Sequence, residues 1–237
     1  MRKLIYLSLL AGIALLTACN QKLKVLIVVG GHEYDTIQFF DMFRALETME
    51  FDSVSHPRAM DLLASEQIEK YDLLLFYDFI PQMSVKDSSV YLELTSKGIP
   101  LLFMHHSLCT FQEWDGYRQM AGGKYVMPGF GDDTSELSDY AHGLDLDVKI
   151  LDPDHPVTFG LEEFTIHDEG YSNIMINKEV HPLLGTSHPQ CAPLMGWTTQ
   201  VQNSTCIYLM FGHDRLAYEN ESLHHLLMNS ILWLSKY

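Results

Sequence analysis

Leu23-Lys24-Val25-Leu26-Ile27-Val28-Val29-Gly30-Gly31-His32-Glu33 is the stretch on which the architecture turns. Apart from Lys24, residues 23–29 are leucine or β-branched, without alternation. Such a run suits a strand covered on both faces, as in a parallel sheet. Two glycines end it, and Phe39, Phe40, Phe43 and Leu46 then recur at helical spacing over residues 36–49. The opening unit therefore reads as strand, glycine turn, helix.

The same alternation continues outward. Residues 51–55, 72–78 and 100–104 read as three further strands. Ser84-Val85-Lys86-Asp87 has the form of a capping box, and Gly98 is placed to close the helix it opens. Residues 107–143 carry Gly, Asp, Tyr and Met without a clear period, and a connection that long shapes a site or a lid. Residues 146–151, 193–198 and 205–211 read as later strands. A final helix spans residues 219–236, with Leu223, Leu226, Leu227, Ile231 and Leu234 on one face. No linker divides residues 23–237, so a single domain is expected. The fold class is α/β: a doubly wound, mostly parallel sheet flanked by helices, a three-layer sandwich.

Composition excludes several functions. The formal net charge is −16, a field that repels phosphate backbones and disfavours nucleic-acid binding. Gly30-Gly31 is not a dinucleotide fingerprint, since G-x-G-x-x-G is absent, and no nucleotide cofactor is expected. The glycines allow either a plain tight turn or a cradle for an anionic oxygen at a helix start.

Residues 1–18 read as an export signal: Arg2 and Lys3, then an apolar run over residues 4–16 that is short for a membrane span. Leu16-Thr17-Ala18-Cys19 resembles a bacterial lipobox, which would make Cys19 the lipidated N-terminus and residues 19–22 a short tether; the alternatives are an ordinary signal peptide or an uncut N-terminal anchor helix. The expected location is the outer membrane, facing the periplasm. Cys109, Cys191 and Cys206 remain, with no C-x-x-C, and an oxidising compartment would permit a Cys191–Cys206 bridge.

Ligands of open α/β sheets bind beyond the carboxyl ends of the strands. His32 follows the first strand, Asp78 ends the third, His105-His106 follows the fourth and His213 follows a late one. His167-Asp168-Glu169-Gly170-Tyr171 lies between the last two groups and could equally be a solvated acidic loop. Imidazole near neutral pH serves either as general acid and base or as a ligand for a divalent metal such as zinc. His32, His105 and His213, or two of them with Glu169, would hold such an ion with one position open. Trp114 and Trp197 are candidates for stacking on a sugar, although core packing is the commoner fate of tryptophan.

These residues carry a resemblance. Residues 98–105 (Gly-Ile-Pro-Leu-Leu-Phe-Met-His) are similar to the nucleophile-elbow strand of class I glutamine amidotransferases, with His105 where their cysteine stands. Residues 208–213 are similar to the strand carrying their catalytic histidine, but Asp214 and Arg215 follow it and the partner glutamate is missing. Histidine cannot form the acyl-enzyme, so the fold carries over and the amidotransferase activity does not. The chain more closely resembles the ThuA-like, trehalose-utilisation family, which shares that flavodoxin-like sandwich. The match is carried by Gly30-Gly31-His32, His105, residues 154–161, Asp168-Glu169-Gly170-Tyr171 and Gly212-His213. Its departure is the polar turn over residues 199–205, where a glycine-rich turn is commoner.

The resemblance implies an enzyme that hydrolyses or isomerises glycosides or keto-sugars. His105, His213 and Glu169 would be catalytic, and His32, His106, Asp168, Tyr171 and Trp197 would contact the sugar. A second reading is a non-catalytic carbohydrate-binding lipoprotein on the same fold. A third is a residual hydrolase using Cys109, although that thiol lies four residues past the elbow.

Overall fold

A computed structural model of the chain describes residues 22–82, 84–130 and 136–237. The expected export segment, residues 1–18, and Cys19 lie outside the described residues. In chain order the elements are β1 (Leu23–Gly30), α1 (Thr36–Arg44), β2 (Met49–Ser55), α2 (Ala59–Leu63), β3 (Leu73–Asp78), α3 (Val85–Lys97) and β4 (Leu101–Met104). A 3-10 turn at His105–Cys109 follows, then α4 (Asp115–Ala121), β5 (Gly123–Lys124), β6 (Asp139–Ile150), β7 (Phe164–Ser172) and β8 (Met175–Ile176). The chain closes with β9 (His181–Gly185), β10 (Leu194–Val201), β11 (Ser204–Leu209), α5 (Arg215–Tyr218) and α6 (Glu221–Leu234).

Nine strands form one sheet in the order β2-β1-β3-β4-β11-β10-β9-β6-β7. The α/β sandwich is as expected, but the sheet is not mostly parallel. The four pairings from β2 to β11 are parallel and the four from β11 to β7 antiparallel. The two halves have different burial. Leu73–Leu75 of β3, Leu101–Met104 of β4 and Cys206–Leu209 of β11 are wholly inaccessible, which continuous apolar runs permit. Most of β6 is instead exposed or half-exposed, as antiparallel strands with one wet face are. Helices α2, α3 and α4 form one contiguous layer and α1, α5 and α6 the other.

Local chemistry sets the helix ends. The Ser84 backbone N–H donates to the Asp87 carboxylate at 2.8 Å, and Gly98 takes φ +78 where α3 stops. The Asn220 side chain accepts from the N–H groups of Ser222 and Leu223 to start α6. That helix buries Leu223, Leu226, Leu227, Ile231 and Leu234, the face its spacing predicts. Cys191 and Cys206 are not bridged: both are buried free thiols, and Cys191 Sγ lies 3.5 Å from Met210 Sδ. Among the described residues, no helix is long and apolar enough to cross a membrane.

Candidate functional site

The parallel strands β1, β3, β4 and β11 end along one edge, where the chain delivers its histidines. His105 leaves β4 in the left-handed region, with φ +49. That turn lets both members of the His105-His106 pair face one pocket, which a continuing strand would forbid. His105 is pinned twice: Tyr208 donates its hydroxyl to the His105 carbonyl at 3.0 Å, and Nδ1 lies 2.7 Å from the Met210 carbonyl. A carbonyl oxygen only accepts, so Nδ1 carries the proton and Nε2 is left to face the pocket.

β7 supplies the acid. The strand is not the solvated loop that its acidic composition allows. The β6–β7 hairpin joins the rest of the sheet through the C-terminal end of β6, at Lys149 and Ile150, and its β7 strand reaches His105 at the end of β4. Period-two alternation puts Glu169 and Tyr171 on one face. Glu169 Oε2 lies 3.1 Å from His105 Nε2 and 3.4 Å from His213 Nδ1. The Tyr171 hydroxyl is 3.1 Å from the same His105 Nε2. Asp168 points the other way, and its carboxylate accepts the backbone N–H groups of Gly212, His213 and Glu169 at 2.8 to 2.9 Å. Asp168 thereby fixes the turn that presents His213.

Electrostatics follow from this geometry. Burial opposes the charge on Glu169, but hydrogen bonds from His105 and His213 outweigh it and hold the carboxyl well below the usual carboxylate range. The reciprocal bond to Glu169 raises His213 above the usual histidine value. Burial holds Asp168 above its usual range, although His105 and its three N–H donors pull the other way. The ligand atoms of His105, Glu169 and His213 lie within 4.8 Å of one another. Two imidazoles and a carboxylate are donors that zinc and its neighbours accept, and His105 carries the backbone-bonded second nitrogen typical of a metal-ligating imidazole.

Beyond this cluster the pocket is a cavity of about 320 Å³. Successive rings of His32, His106, His105, His213 and His142 stand 4.9, 5.3, 5.5 and 4.7 Å apart. Burial, with His105 and His32 adjacent, drives His106 well below the usual histidine value, so its ring is neutral and offers one donor and one acceptor. Gly31 supports this end: at φ +87, a Cβ there would collide with the Phe79 carbonyl oxygen. No lysine or arginine lines the cavity among the described residues.

Some expected roles are displaced. His32 lines the cavity but is exposed and outside the ligand cluster, where Glu169 takes its place. Trp197 cannot stack on a sugar: it is fully buried, its indole N–H donates to the Ala121 carbonyl at 2.8 Å, and Tyr208 packs on its ring. Trp114 packs against Tyr91. Asp168 is occupied by backbone and does not line the cavity. Cys109 does line it, but burial pushes its thiol far above the usual value, which leaves no thiolate to attack. The sequence does not single out His142. It lies among loop-like residues in the sequence, and the interruption of the β6–β7 ladder after Ala141 brings its Nδ1 to 3.2 Å from Glu169 Oε1.

A family model named ThuA, described as trehalose utilisation, matches residues 24–234. The chain belongs to the ThuA family. Membership sets this ThuA-family chain in carbohydrate metabolism. No curated protein matches it in sequence. A Parabacteroides merdae protein described as ThuA-like aligns with a TM-score of 0.75 at 15% identity, over 91% of this chain and 90% of that one. Another, from Bacteroides uniformis, gives 0.68 at 18% identity, over 90% and 91%. A β-galactosidase from Bacillus circulans gives 0.59 at 10% identity, over 88% of the ThuA-family chain but 30% of the galactosidase. At these identities the likeness is one of fold.

Proposed function

We propose that this ThuA-family chain is an exported, lipid-anchored enzyme that hydrolyses or isomerises an uncharged glycoside or keto-sugar. The observation that carries the reading is the meeting of His105, Glu169 and His213 at one cavity wall. His105 Nδ1 is committed as a donor, yet Nε2 faces a carboxylate at 3.1 Å, and that contact is attractive only with a proton or a cation between them. The three side chains would hold a divalent ion, which when bound polarises a carbonyl or hydroxyl oxygen of the sugar. Neutral His106, with His32 beside it, orients hydroxyl groups through its donor and acceptor. Tyr171 holds the His105 ring in register. The absence of lysine and arginine from the lining, among the described residues, favours a neutral sugar over a phosphorylated or acidic one.

The test is turnover of neutral glycosides and keto-sugars by the parent chain, His105→Ala and His213→Ala. Loss of about two orders of magnitude or more is expected in both variants. Full turnover in both overturns the reading. The anchor is tested separately: Cys19→Ala should move the protein out of the membrane fraction, and unchanged fractionation would refute lipidation.

A further inference from the structure

We propose that His142 is a third imidazole ligand of the divalent ion, which gives the centre three histidines and one carboxylate. The proposal rests on the reading above that His105, Glu169 and His213 hold a metal. Its geometry is separate from theirs: His142 is not among the three residues whose ligand atoms lie within 4.8 Å of one another, and joining them takes a rotation of its exposed side chain. His105 and His213 both approach Oε2 of Glu169, whereas His142 Nδ1 stands 3.2 Å from Oε1. Both carboxylate oxygens therefore face imidazole, and the His142 ring is 4.7 Å from that of His213.

The backbone is bent to make this contact. β6 and β7 pair in register up to Ala141 and again from Leu144, with the ladder interrupted between them. The intervening residues are His142 and Gly143, and Gly143 takes φ +65. A bulge of this kind re-aims a side chain that regular pairing would send elsewhere. Core packing does not hold His142, since its side chain is 56% exposed; its neighbours are Tyr140, His213 and Glu169. Four protein ligands close a tetrahedral ion to substrate, whereas a six-coordinate ion keeps two positions free. Cobalt(II) is a suitable probe because its visible absorption reports coordination.

The experiment titrates metal-stripped full chain with cobalt(II), followed by calorimetry and visible absorption. It compares the parent, His142→Ala and, as a control on the same hairpin, His167→Ala. His167 is paired with Asp145 at 2.8 Å. We expect His142→Ala to bind cobalt about tenfold more weakly or worse, with an altered spectrum, and His167→Ala to match the parent. Parent-like affinity and spectrum in His142→Ala overturn the proposal and leave the metal reading intact. A parent chain that binds neither cobalt, zinc, nickel nor manganese overturns both.

Discussion

His105 and Glu169 meet at 3.1 Å through Nε2 and Oε2, while the other nitrogen of the same ring is tied to the Met210 carbonyl at 2.7 Å. One residue leaves β4 at the sheet centre and the other comes from β7 at its far edge. Their contact joins the two halves of the sheet at the site, and its electrostatics can be tested through stability.

Glu169 and His213 give stability an opposed pH dependence. The folded carboxyl of Glu169 lies below its unfolded value, so its contribution is complete above about pH 4.3 and is lost as pH falls through the folded value. His213 is raised, so its contribution is complete below about pH 6.5 and fades as pH rises through its folded value. The pair should therefore stabilise most between those limits. Glu169→Gln is expected to cost about 3 kcal/mol in that window and to flatten the profile. Urea denaturation of metal-free protein from about pH 2 to about pH 8 reads this out; parallel profiles for parent and variant would contradict it.

Asp168 acts through the backbone. Asp168→Ala strands three N–H donors, two of them buried, and should cost about 3 kcal/mol, with His213 displaced. Asp168→Asn keeps one acceptor oxygen and should lie between variant and parent. Thermal denaturation ranks the three, and equal melting temperatures would show the turn to be held by other contacts.

Gly31 tolerates no side chain. Gly31→Ala combines a clash with the Phe79 carbonyl and a positive φ, and should cost about 3 kcal/mol. Gly129, also at positive φ but with open space around it, is the matched control, and Gly129→Ala should cost about 1 kcal/mol. A smaller loss at residue 31 than at residue 129 would refute the close approach.

Cys109 is a wall, not a nucleophile. With its thiol protonated at neutral pH, iodoacetamide should leave turnover unchanged at pH 7, and Cys109→Ala should keep most activity. Rapid inactivation accompanied by a single alkylation at Cys109 would restore the thiol-hydrolase reading.

By itself the sequence determined the parallel half of the sheet, the closing helix and the histidines at the strand ends. Strands buried on both faces must be apolar throughout, so β1, β3 and β4 declare themselves locally, as does the apolar face of α6. Glu169 and Tyr171 are named instead from their acidic segment and its resemblance to the family. Only the tertiary structure decided that the sheet turns antiparallel after β11, that β7 is a strand, that Trp197 is core and that His142 faces Glu169. Those outcomes depend on which distant strand the backbone pairs with and on one interruption in that pairing. Hydrogen bonds between remote main-chain segments leave no period in the side chains, so nothing within a short window of residues records them.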